Sequence, residues 1–93
     1  MHGVSKYKVP GGKLIEVRID YEGSITKAEI LGDFFLYPEE SIADIEKSLV
    51  GVGIGEDEAA ISERISKAAR TRKAEMVGIT SEAIAKAVKM AVK

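Results

Sequence analysis

Between Lys13 and Tyr21 apolar side chains fall on every second position. Ile15, Val17, Ile19 and Tyr21 share one face, and Glu16, Arg18 and Asp20 share the other. A period of two is that of a strand with one buried face. Glu22-Gly23 marks a hairpin turn. The return strand runs from Ser24 to Phe35, with Ala28, Ile30 and Phe34 on its inner face and Lys27, Glu29 and Asp33 outside. Two registers fit. A two-residue turn sets Val17 opposite Ala28 and Ile15 opposite Ile30, but it also opposes Arg18 to Lys27 and Glu16 to Glu29. Such like-charge pairs cost roughly tenths of a kcal/mol. A four-residue turn keeps the faces and pairs Arg18 with Glu29 and Asp20 with Lys27.

The run Gly32-Asp33-Phe34-Phe35-Leu36-Tyr37-Pro38 separates this pattern from a helical one. Gly32 permits a bulge or a positive φ at the strand end. Pro38 suits the first turn of a helix and pushes Tyr37 into extended backbone. Phe34 and Phe35 face opposite sides of an extended chain. If Phe34 points inward beside Ile30 and Ala28, Phe35 points outward with Leu31. With Leu36 and Tyr37 beside them, these form an anchor for a protein partner. The competing reading covers that side with the connector after the first helix, or with Val9 and Leu14.

Beyond Pro38 apolar residues recur at three- and four-residue spacing. Pro38 to about Val50 reads as a first helix with Ile42, Ile45 and Leu49 as its stripe, acid in its first turn, and Gly51 as its stop. Gly51-Val52-Gly53-Ile54-Gly55 is superficially similar to a dinucleotide-binding loop. It lacks the full G-x-G-x-x-G spacing and follows a helix where that motif follows a strand. The plainer reading is a helix-to-helix loop with Val52 or Ile54 packed beneath. Glu56 to about Arg72 reads as the second helix, with Ile61, Ile65 and Ala68 buried and Glu63 paired with Lys67. Arg64, Lys67, Arg70, Arg72 and Lys73 load its far end, either complementing the helix dipole or facing an anion. Glu75 to Ile79 reads as a short third strand along the hairpin. Thr80 or Ser81 caps a last helix that buries Ile84, Val88 and Ala91. At the other end of the chain, residues 1–6 read as a flexible end, Tyr7-Lys8-Val9 as a short strand and Pro10-Gly11-Gly12 as a turn.

Strand and helix patterns are segregated. The expected class is therefore α+β, a small antiparallel sheet with about three helices packed on one face. The domain expected is residues 7–93, preceded by the flexible end.

Composition narrows the function. The net charge is −1 and the sheet face reads Glu16, Arg18, Asp20, Lys27 and Glu29, mixed and without aromatics, so no nucleic acid is expected as a partner. No apolar run approaches the roughly 20 residues of a membrane span. Without cysteine there is no thiolate metal site, and a cytoplasmic location is the default. The chain lacks Asn, Gln and Trp and is rich in Lys and Glu, a balance that suggests a warm-living source. The one histidine, His2, falls in the expected loose end. No catalytic residue and no metal ligand set is expected, and the chain is poorly equipped to be an enzyme alone. One motif suits a shared site. In Pro10-Gly11-Gly12-Lys13, two glycines let backbone N–H groups approach an anion and a lysine follows. The alternative is a β-turn with a solvated lysine.

Two stretches carry a resemblance. K-V-P-G-G-K-L-I-E-V-R-I-D (Lys8 to Asp20) and I-L-G-D-F-F-L-Y-P-E-E (Ile30 to Glu40), continued by I-E-K-S-L-V-G (Ile45 to Gly51), resemble the C-terminal accessory domain of lipoate–protein ligases. The likeness runs from about Tyr7 through the last helix and loosens in the final third. It implies a partner: a catalytic chain that binds lipoate and ATP with Mg, forms lipoyl-AMP and lipoylates an acceptor lysine. The acceptors implied are lipoyl domains of 2-oxoacid dehydrogenases or the glycine-cleavage H protein. Beginning with its own methionine and spanning one small domain, the chain is similar to the separate small subunit of the bipartite ligases of some archaea. The expectation is then a heterodimer whose catalytic chain needs this one for adenylation. This chain would bind no cofactor by itself. Gly11, Gly12, Lys13, Gly32, Asp33, Phe35 and Tyr37 would face the partner or its active site. The alternative is a non-catalytic adaptor domain for another enzyme.

Overall fold

The alternating stretch becomes the middle strand of a three-stranded antiparallel sheet. The order is β1 (His2–Lys8), β2 (Leu14–Tyr21), β3 (Ile25–Gly32). The computed structural model describes residues 1–92, the side chain of Phe35 excepted. The register is that of the longer turn: Arg18 lies opposite Glu29, Asp20 opposite Lys27, and Val17 opposite Ile30. Ile15, Val17, Ile19 and Tyr21 are buried, as their shared face requires.

Three helices follow: α1 (Glu40–Leu49), α2 (Glu58–Thr71) and α3 (Ser81–Ala91). α3 packs on β1 and β2, α1 packs on β3, and α2 packs against both other helices. The result is an α+β fold with one sheet face covered. Asp57 caps α2 by accepting from the Ala60 N–H, and Thr80 caps α3 by accepting from the Ala83 N–H. Pro38 precedes α1 by a turn and does not open it, and its Tyr37–Pro38 peptide bond is cis. In α2 the buried positions are Ile61, Ile65 and Ala69, and Ala68 lies beside them half-buried. Glu63 pairs with Arg70 at 3.3 Å, not with the expected Lys67.

Three sequence expectations change. First, the residues read as a flexible end and a short strand are one continuous strand, β1, hydrogen-bonded to β2 along its length. Its inward positions are Gly3, Ser5 and Tyr7, of which the first two give no apolar alternation to read. They seat the strand against a helix built of alanines. A Cβ on Gly3 would run into the Ala91 carbonyl, and the Ser5 hydroxyl donates to the Ala87 carbonyl at 2.6 Å. Second, the return strand ends at Gly32. The chain bends at Asp33 and resumes as β4 (Phe35–Tyr37). Third, β5 (Glu75–Val77) does not extend the hairpin. It pairs with β4, Phe35 opposite Val77 and Tyr37 opposite Glu75, as a separate two-stranded ribbon.

Candidate functional site

Three chain segments distant in sequence meet where the hairpin passes into the ribbon. The turn between β1 and β2 closes on itself, the Gly12 N–H donating to the Val9 carbonyl at 2.8 Å and the Val9 N–H to the Lys13 carbonyl at 3.0 Å. The Lys13 N–H then donates to the Gly78 carbonyl at 3.1 Å, and the Asp33 N–H donates to the Leu14 carbonyl at 3.2 Å. Pro10–Lys13, Gly32–Asp33 and Gly78 are thus tied by main-chain bonds.

Glycine is needed for this approach. A Cβ on Gly12 would stand 2.6 Å from the Gly78 carbonyl oxygen, and one on Gly78 would stand 2.7 Å from the Lys13 Cγ. Gly78 also holds φ at +87°, a left-handed conformation that side chains resist. A Cβ on Gly32 would run into the Leu14 carbonyl. Gly78 was not singled out from the sequence. A lone glycine before the Thr80 cap looks like ordinary punctuation, and only the fold shows that the Lys13 stem lies over it.

Of the residues expected to face a partner, Gly11, Lys13, Asp33 and Tyr37 are exposed, Gly12 is half-exposed, and Gly32 lies at the exposed end of β3. Among the described residues the Lys13 ammonium and the Asp33 carboxylate have no ion-pair partner. Tyr37 sits two residues further along the ribbon than the meeting point, opposite Glu75. The Phe35 side chain lies outside the described residues. Phe34 is buried as expected, but so is Leu36, at 3% exposure, and it belongs to the core, not to an outer anchor. The apolar groups left open on these segments are Leu14, Leu31, Tyr37 and Val77, each 41–51% exposed. The arrangement is a rim with an apolar border, on which Lys13 and Asp33 stand exposed. It carries no acid–base pair, and among the described residues no group of three His, Asp or Glu could hold a metal ion.

Elsewhere several charged groups pair with one another. A shallow groove crosses the open sheet face along Val4, Lys6, Glu16, Arg18 and Glu29. There Glu16 receives Arg18 at 2.6 Å and Lys6 at 3.9 Å. His2 holds Asp20 at 2.8 Å, and that hydrogen bond lowers the carboxyl's pKa. The basic end of α2 is largely neutralised. Arg72 is bound to Asp44 at 2.5 Å, which raises the guanidinium pKa, while Arg70 meets Glu63 and Arg64 meets Glu56. That end complements the helix dipole and offers little to an outside anion. The Gly51–Gly55 connector has no phosphate cradle either. Val52 is fully buried, and the Gly53 N–H is taken by the Glu56 carboxylate at 2.8 Å, a group that would repel phosphate.

No helix among the described residues is long and apolar enough to cross a membrane. No curated protein matches the chain. Among solved structures, a similar chain comes from an archaeal lipoylation system of Thermoplasma acidophilum, a bipartite lipoate protein ligase and its E2 lipoyl domain. The TM-score is 0.77 at 29% identity, covering 95% of this chain and 94% of that one. The family model described as bacterial lipoate protein ligase C-terminus matches residues 4–88. The chain belongs to the lipoate protein ligase C-terminal family.

Proposed function

We propose that this chain is the accessory subunit of a bipartite lipoate–protein ligase, acting with a separate catalytic subunit in the ATP-dependent activation of lipoate to lipoyl-AMP and in lipoylation of acceptor lysines. Family membership supports an accessory role in lipoylation. The observation that carries the finer reading is the end-to-end match with a chain of similar size in a bipartite system, 95% of one and 94% of the other. The rim offers a partner an exposed lysine, an exposed carboxylate and an apolar border.

In this reading the chain supplies shape. The Pro10–Lys13 turn, Gly32–Asp33 and the exposed side of the ribbon lie against the catalytic subunit and order loops that enclose lipoate and ATP. Lys13 reaches a phosphate or a partner carboxylate, and its stem, held over Gly78, limits the rotamers it must lose. Mg and ATP belong to the partner. Lys13 suits a phosphate oxygen, as a point charge. The acceptors are lipoyl domains of 2-oxoacid dehydrogenases or the glycine-cleavage H protein.

The test is transfer. With the catalytic subunit, ATP, lipoate and a lipoyl domain, the acceptor gains the mass of one lipoyl group only when this chain is present. If the acceptor is modified equally without it, the chain is an adaptor that affects location and not turnover.

A further inference from the structure

The two edges of the three-stranded sheet are treated differently. On β3 outward main-chain groups at Ile25 and Ile30 have partners. Ile25 donates to the Val52 carbonyl and accepts from the Gly51 N–H, both at 2.8 Å, and the Ile30 N–H donates to the Glu46 carboxylate at 2.8 Å. A loop covers that edge at Ile25 and a helix side chain covers it at Ile30. On β1 the pairing with β2 begins with Met1 and Tyr21, which exchange both main-chain bonds. Alternation along an antiparallel ladder then assigns Gly3, Ser5 and Tyr7 to β2. The N–H and C=O groups of His2, Val4, Lys6 and Lys8 point away from the sheet. Among the described residues they have no partner. An edge of this length is a template for one more strand.

The side chains say what kind. Val4, Lys6 and Lys8 are exposed, and Lys86 stands over the Tyr7 ring at 5.1 Å to its centroid. In a chain of net charge −1, the border of this edge carries three lysines, of which only Lys6 has an acidic neighbour, Glu16 at 3.9 Å. Two copies pairing edge to edge would bring these lysines together, which is unfavourable. The edge is also continuous with the rim, because Lys8 leads directly into the Pro10–Lys13 turn.

We infer that the open edge of β1 receives an extended, acidic segment of the catalytic subunit as a fourth strand of the sheet. The inference rests on the proposed function for the identity of the partner. It adds the mode of binding: main-chain hydrogen bonds to Val4, Lys6 and Lys8, with acidic side chains beside Lys6 and Lys8.

Amide hydrogen exchange by NMR reads this directly, on the full chain alone and in complex with the catalytic subunit. In the free chain the amides of Gly3, Ser5 and Tyr7 are protected and those of Val4, Lys6 and Lys8 exchange fast. In the complex the second set becomes protected as well. The variant Lys6→Pro removes one outward donor and spares the ladder to β2, because proline is tolerated where the N–H faces solvent. It should keep the melting curve and weaken the complex roughly fivefold to tenfold, the worth of one hydrogen bond. Lys6→Glu with Lys8→Glu should weaken it further at low salt than at high salt. A complex that lipoylates normally while Val4, Lys6 and Lys8 exchange as in the free chain would overturn the inference and leave the proposed function standing. Failure to form any complex would overturn both. Protection of these amides in the chain alone as its concentration rises would assign the edge to a second copy, and the inference would fall.

Discussion

At the scale of single residues, the rim depends on two that the chain uses in opposite ways. Gly78 is structural: its positive φ and the Lys13 stem above it leave no room for a methyl group. Gly78→Ala should cost about 2 kcal/mol in chemical denaturation, while Gly11→Ala, with nothing near its Cβ, should cost only the φ penalty of about 1 kcal/mol. Equal losses would show that the crowding is not real. Lys13 is functional in the proposed reading. Lys13→Ala should leave the melting curve in place and lower lipoate-dependent pyrophosphate exchange in the reconstituted pair about tenfold, the worth of one hydrogen bond to a charged group. Unchanged exchange would remove Lys13 from the site. Asp20 gives a pH test. The His2 hydrogen bond holds its folded pKa below the ordinary 3.8. A depressed value stabilises the fold above the unfolded pKa and is lost as pH falls through the folded one. The stability gap between the native chain and Asp20→Asn should therefore be open at about pH 5 and closed at about pH 2. A gap that persists in acid would contradict the assignment.

At the scale of elements, the strands whose inward positions are apolar were legible and the others were not. β2 and β3 announce themselves through Ile15, Val17, Ile19 and Ile30, and charge pairing favours the register that the fold adopts. The first part of β1 is silent because its inward residues there are Gly3 and Ser5, which admit α3 closely, and only its end at Tyr7 and Lys8 was legible as strand. The β4–β5 ribbon is silent because strands of three residues carry too little alternation, and nothing local says which strand they join. The turn with its lysine and the Gly32–Asp33 bend were legible as motifs. Their meeting through Gly78 was not, since main-chain bonds between distant segments leave no side-chain signature. The helix ends were legible through capping chemistry. Thr80→Ala should cost about 1 kcal/mol by removing the acceptor for the Ala83 N–H. Because α3 holds β1 in place, the loss should appear as faster amide exchange in β1 as well as in α3. A loss confined to α3 would mean that the two are not coupled.

At the scale of the whole molecule, a sheet covered on one side leaves three surfaces: an open face crossed by ion pairs, a strand edge open along its length, and a rim of apolar and charged groups. In the proposed reading, activity belongs to the assembly of this chain with the catalytic subunit. The most direct measurement is the rate of lipoyl-AMP formation by the catalytic subunit as this chain is titrated in. The account predicts a rate near background without the chain that rises and saturates at one equivalent. A catalytic subunit that forms lipoyl-AMP at its full rate alone, with no response to a saturating amount of this chain, would contradict it.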